Sequence, residues 1–207
     1  MSDSRARAGL ARAAARLKHA TRSKLPALVL MTDDERLSDP LAAARALPRG
    51  SMVVVRARDP KRLKRLAQDL LKIARHRGFA VLIAGDPQLA ARLGADGVHF
   101  AEVRAPLAAH CRARFPALAI SCAAHSLGTV LKAQTLPVDA IFLSPVFVTG
   151  SHVDRTALSP MRANLIARAS RKPVYALGGI DAQNSNRIGP GAFSGIAAIS
   201  ALSVGEN

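Results

Sequence analysis

The feature that most constrains this chain is a repeated change of texture, in which short runs rich in Val, Ile and Leu alternate with longer Ala-, Leu-, Arg- and Lys-rich stretches. A short apolar run bounded by turn signals reads as a strand buried on both faces, and apolar residues three and four apart read as a helix packed against it. Strands are predicted at residues 27–32, 52–57, 79–84, 97–100, 118–123, 140–143, 174–177 and 195–199. Helices are predicted at 40–47, 60–77, 87–93, 106–115, 127–134, 160–169 and 182–188, several opening with Pro in the first turn, where its missing N–H does no harm.

Strands joined by helices in this order are parallel βα units, and eight of them close into a barrel whose active site lies at the C-terminal ends of the strands. The rival is an open doubly wound sheet. Its glycine-rich dinucleotide fingerprint is missing after the first strand, where MTDDERLSDP follows instead. The expected fold is therefore an α/β (β/α)8 TIM barrel, in a chain whose 207 residues lie near the lower end for that architecture.

The barrel is expected to lack a C-terminal eighth helix, since only seven residues follow Ser200. Residues 4–20 carry Leu10, Ala13, Ala14 and Leu17 on one helical stripe, with Arg5, Arg12, Arg16 and Lys18 largely off it. A helix before the first strand runs in the same direction as one after the last strand. A basic amphipathic segment, residues 1–22, is thus predicted to fill the vacancy beside a barrel domain of residues 23–207. Arginines interrupt the apolar run that a signal peptide needs, and an organelle transit sequence is the weaker alternative.

With 49% hydrophobic residues the chain can build one good core, yet it has no run of about 18 apolar residues, so no membrane partner is expected. Cys111 and Cys122 stand in no metal-binding spacing, in a chain too large to need disulfide staples, which points to a reducing, cytoplasmic compartment. Thirty Lys and Arg against 14 Asp and Glu give a net charge of +16, implying an anionic partner or a solvated Arg-rich surface. Nucleic acid is the less favoured anion, because 3% aromatics without Trp leave little for a base-stacking platform. A phosphorylated small molecule fits better, and a homo-oligomer stays open.

Barrels often bind phosphate through main-chain N–H groups after strands seven and eight. Gly178, Gly179, Ile199 and Ser200 occupy those positions, although a Gly-Gly pair also reads as a tight turn. Polar residues cluster at other strand ends: Thr32, Asp33, Arg56, Arg58, Asp86, His99, Glu102, His125, Thr149, Ser151 and His152. His99 also reads as a hydrogen-bonded core histidine, and Asp86 before Pro87 as a helix cap. His125 directly follows strand five, and imidazole is the side chain suited to moving a proton near neutral pH. The stretch 144–160 lacks apolar periodicity and reads as a lid or ligand clamp, or as a plain excursion.

The segments LVLMTD, VVVRARD, GADGVHF, SCAAHS, VDAIFLSPVFVTGSH, VYALGGI and IAAISAL, in this order on strands one, two and four to eight, resemble the thiamine phosphate synthase and TenI-like thiazole tautomerase superfamily over nearly the whole chain after Pro26. The resemblance implies a thiamine-biosynthesis enzyme binding a thiazole phosphate. In the synthase branch, pyrophosphate leaves an aminopyrimidine, held by magnesium on two aspartates and by Gln, Arg and Lys on strand two. Here Arg56 matches the Arg, while Val54 replaces the Gln and Arg58 the Lys. Gly85 and Arg104 stand at the two aspartate positions, and His152 at a lysine of the strand-six loop. Magnesium requires oxygen ligands, so neither magnesium nor another cofactor is expected and no metal ligand is assigned.

The tautomerase branch needs no metal and uses the histidine after strand five, matched by His125, although the synthase also carries a histidine there. The favoured expectation is a TenI-like tautomerase with His125 transferring the proton. Gly178, Gly179, Ile199 and Ser200 would hold the phosphate, Thr149 and Ser151 would close over the ligand, and Arg56, Arg58, His99 and His152 would complete the substrate contacts. The alternatives are a divergent thiamine phosphate synthase with a degraded magnesium-diphosphate site, and a non-catalytic phosphate-ligand or RNA-binding module.

Overall fold

The computed structural model describes residues 3–19, 23–148 and 157–204. Eight parallel strands, β1 Leu28–Met31, β2 Met52–Val55, β3 Ala80–Ala84, β4 Gly97–Phe100, β5 Ala119–Ala124, β6 Ala140–Leu143, β7 Val174–Leu177 and β8 Gly195–Ala198, form a closed barrel in sequence order. The ring closes where β8 pairs β1 through Leu28 with Ile196 and Leu30 with Ala198. Most strand residues are buried on both faces, as near-continuous apolar runs require in a sheet covered by helices.

The helices are α1 Asp3–His19, α2 Pro40–Arg45, α3 Pro60–Arg77, α4 Pro87–Leu93, α5 Ala108–Arg114, α6 Leu127–Ala133 and α7 Pro160–Arg168. Asp39, Asp59, Asp86 and Ser159 cap α2, α3, α4 and α7 just before a first-turn proline, each side chain accepting a main-chain N–H that the helix leaves over. Asp86 is thereby a cap, its Oδ1 2.7 Å from the Leu89 nitrogen. Pro106 lies inside a 3-10 segment, Glu102–Leu107, so the fifth helix starts later than residue 106.

Helix α1 packs across β8 and β1, where an eighth helix would otherwise lie. Leu10, Ala14 and Leu17 are buried, Ala13 packs against the core, and Arg5, Arg12, Arg16 and Lys18 stay exposed. Nη1 of Arg7 donates to the Ser203 carbonyl at 2.9 Å, tying the helix to the chain after β8.

The helix predicted over residues 182–188 is not formed; the segment holds only a 3-10 turn, Ser185–Arg187. Oδ1 of Asp181 accepts the N–H groups of Gln183 and Asn184 at 2.8 and 2.9 Å, and Oδ1 of Asn184 accepts that of Asp181 at 3.0 Å. Nδ2 of Asn184 donates to the Gly179 carbonyl at 2.7 Å. These local side-chain bonds satisfy the backbone in a turn and compete with the helix ladder.

Three rings fill the barrel from top to bottom. His99 meets Phe142 edge-on and Phe142 stacks on Tyr175, both at 5.0 Å between centroids. The Tyr175 hydroxyl lies 3.2 Å from Oγ of Ser23, ahead of β1. All three rings are buried, and His99 also lines the cavity at the mouth of the barrel.

Candidate active site

A cavity of about 1160 Å³ lies at the C-terminal mouth of the barrel, lined by residues that end or follow the strands, His99, His125, Arg56, Gly179 and Ser200 among them. Most of the site residues expected from sequence therefore share one space. Thr149, Ser151 and His152 lie outside the described residues. Val148, just before them, lines the cavity and is 86% exposed.

His125 follows β5 and is held at three points. Its main-chain N–H lies 2.8 Å from Oε2 of Glu102 and 3.0 Å from Oγ1 of Thr129, and Thr129 forms a capping box with Ser126 at the start of α6. Nδ1 of the ring lies 2.8 Å from the Ser144 carbonyl oxygen. A carbonyl can only accept, so Nδ1 carries the hydrogen and the neutral ring keeps its lone pair on Nε2.

Opposite stand the loops after β7 and β8. Gly178 and Gly179 have φ of 98° and 65°, and a Cβ would meet Pro145 Cα at 2.8 Å from Gly178 and Phe147 Cβ at 2.9 Å from Gly179. The glycines are needed because the chain after β6 crosses them, with Phe147 N–H bonded to the Gly178 carbonyl at 3.0 Å. Among the described residues none accepts the main-chain N–H of Gly179, Ile180, Ser200 or Ala201, all of which line the cavity.

A third wall is cationic. Burial lowers the pKa of Arg56, Asp33 being its principal compensating charge; Nη1 of Arg56 donates to Met31 Sδ at 3.2 Å, and Nη2 lies only 4.0 Å from Asp33 Oδ2. Asp33 is engaged with Arg36, whose side-chain hydrogen bond at 2.8 Å holds its carboxyl down at about 2. Arg58 is not among the cavity-lining residues; it pairs with Glu35 at 2.7 Å and is 80% exposed. His99 forms the floor, Nδ1 2.9 Å from Ser121 Oγ, and burial, with the Arg56 charge adding to it, pushes its pKa down to about 3. It is a neutral, hydrogen-bonded core histidine that also faces the cavity.

The residues at 85 and 104 do not suit magnesium. Gly85 offers no side chain, Arg104 offers a guanidinium, and no group of three His, Cys, Asp or Glu that could hold an ion occurs among the described residues. Sequence reasoning missed Arg36, which lines the cavity, and Ser144, whose contribution is a main-chain carbonyl that residue type does not reveal.

The thiamine monophosphate synthase family model matches residues 28–202, the whole barrel. The chain belongs to this family. It is 30% identical to the thiamine-phosphate synthase of Chlorobium luteolum over 187 residues, 88% of this chain and 87% of that one. It is also 30% identical to that of Albidiferax ferrireducens over 207 residues, covering 94% and 92% of the two chains. The thiamine phosphate pyrophosphorylase of Pyrococcus furiosus has the same fold, with a TM-score of 0.71 at 22% identity over 90% of this chain and 88% of that one. Within the thiamine monophosphate synthase family, phosphorylated small molecules are the substrate class. No helix among the described residues is long and apolar enough to cross a membrane.

Proposed function

We propose that the protein is a thiamine-biosynthesis enzyme that binds a thiazole phosphate and moves a proton within it, as a TenI-like, metal-independent thiazole tautomerase. The observation that carries this reading is the setting of His125: Nδ1 is committed to the Ser144 carbonyl, leaving Nε2 as base, in a cavity whose opposite rim offers N–H donors without an acceptor among the described residues. The phosphate is bound at Gly178, Gly179, Ile199 and Ser200, where main-chain donors favour an anion. Thr149 and Ser151 close over it, and Arg56, His99 and His152 complete the ligand contacts. Two buried, unbridged cysteines suit a cytoplasmic setting.

A second reading, a divergent synthase, is favoured by the names of the relatives, which are thiamine-phosphate synthases. The two are separated by incubating the protein with a thiazole carboxylate phosphate, followed by NMR, and separately with an aminopyrimidine diphosphate plus a thiazole phosphate, each with EDTA or magnesium. Isomerisation indifferent to EDTA is expected. Thiamine phosphate formation without isomerisation would replace this reading with the synthase, and no product in either assay would leave a binding module.

A further inference from the structure

Gly85 and Arg104 are neighbours on the cavity wall. A Cβ on Gly85 would lie 3.7 Å from Nη1 of Arg104, and Gly85 holds a φ of 72°, so the guanidinium stands where a side chain from position 85 would point. Arg104 forms no ion pair with the described residues, although it lines a cavity that also contains Glu35 and Glu102. Both carboxylates are engaged elsewhere, Glu35 with Arg58 and Glu102 with the His125 N–H. Arg56 lines the same cavity, its side chain partly exposed and weakly paired.

We propose that Arg104, together with Arg56, takes the place of a divalent cation in this site and holds a second oxyanion of the phosphorylated ligand directly. This rests on the reading that a phosphate occupies the β7 and β8 rim, and it adds that the ligand carries a further anionic group. A guanidinium presents a planar fork of N–H donors that matches paired oxygens, with a charge that no chelator removes. A divalent cation placed beside it would be repelled and would find no carboxylate at position 85 or 104. Binding of the second anion is therefore independent of metal, and magnesium competes with the protein for that anion.

Calorimetric titration of the full-length protein with inorganic pyrophosphate in EDTA tests this. Saturable binding is expected, weakened at least tenfold in Arg104→Gln and less so in Arg104→Lys, which keeps the charge but not the fork of donors. Binding that appears only with magnesium, or an unchanged affinity in Arg104→Gln, overturns the proposal. Arg104 is an exposed side chain, and the thermal melt of each variant checks that the fold is kept. Inorganic phosphate reports on the rim separately, and Arg104→Gln leaves its affinity unchanged. If inorganic phosphate fails to bind the wild type while pyrophosphate binds without metal in an Arg104-dependent way, the rim assignment falls and the arginine assignment stands.

Discussion

Nδ1 of His125 lies 2.8 Å from the carbonyl oxygen of Ser144, so the residue that follows β6 fixes the tautomer of the histidine that follows β5. The acceptor is main chain and survives any substitution at 144 that keeps the backbone in place. A base held in this way needs no carboxylate partner to orient it.

On the proposed tautomerase reading, His125→Asn is accordingly expected to lower turnover by about 10²–10⁴-fold, the usual range for a placed acid-base group. Phosphate binding at the opposite rim stays near the wild-type level, because the main-chain bonds from residue 125 to Glu102 and Thr129 remain. Ser144→Ala removes only the hydroxyl contact at 3.2 Å and keeps most of the turnover. Turnover in His125→Asn equal to wild type would remove the histidine from the mechanism.

Gly179 combines a left-handed conformation with a Cβ direction blocked by Phe147 at 2.9 Å. Gly179→Ala meets both the left-handed penalty and an overpacking cost, together about 2–5 kcal/mol, which lowers Tm by roughly 4–20 °C in a chain of this size. Gly50 has a similar φ of 74° with nothing within 4 Å of a Cβ, so Gly50→Ala meets only the conformational cost of about 1–2 kcal/mol. Equal melting shifts in the two variants would show that the chain after β6 does not press on Gly179.

The eight strands were legible because runs such as Gly97–Phe100 and Ala140–Leu143 are buried on both faces, and continuous apolarity bounded by turn residues survives into the fold unchanged. Residues 182–188 misled for the opposite reason: their helical pattern is outweighed by Asp181 and Asn184, whose side chains bond the local backbone. At the site, the positions of His125, Gly179 and Arg56 follow from strand ends alone. The proximity of Arg104 to Gly85, the diversion of Arg58 to Glu35 and the hold of Ser144 on His125 depend on three-dimensional approach, which residue type and spacing do not encode.

Leu10 and Leu17 of α1 are fully buried against the barrel, on the flank between β8 and β1. Leu10→Ala and Leu17→Ala should each cost about 2–5 kcal/mol, the range for truncating a buried leucine. Removing residues 1–22 should expose the apolar flank and cause loss of solubility. Unfolding midpoints in urea measure the first effect and sedimentation of the expressed protein the second; a truncated chain that stays soluble with an unchanged midpoint would make α1 an appendage.

His99 carries a pH dependence of defined sign. Its folded pKa is about 3 against an ordinary 6.5, because burial and the Arg56 charge disfavour the imidazolium. Between those values the unfolded chain binds a proton that the folded chain does not, so stability falls as pH drops through 6.5 towards 3. One proton corresponds to a slope of about 1.4 kcal/mol per pH unit, fully developed between about pH 5.5 and pH 4. His99→Gln should lower stability at neutral pH through loss of the 2.9 Å bond to Ser121 and of the edge-on contact with Phe142. Its stability should nevertheless decline with acid less steeply than that of the wild type by that amount. The comparison is made on unfolding free energies from urea titrations at each pH, and parallel slopes would mean that the ring is hydrated and free to take up a proton in the folded barrel.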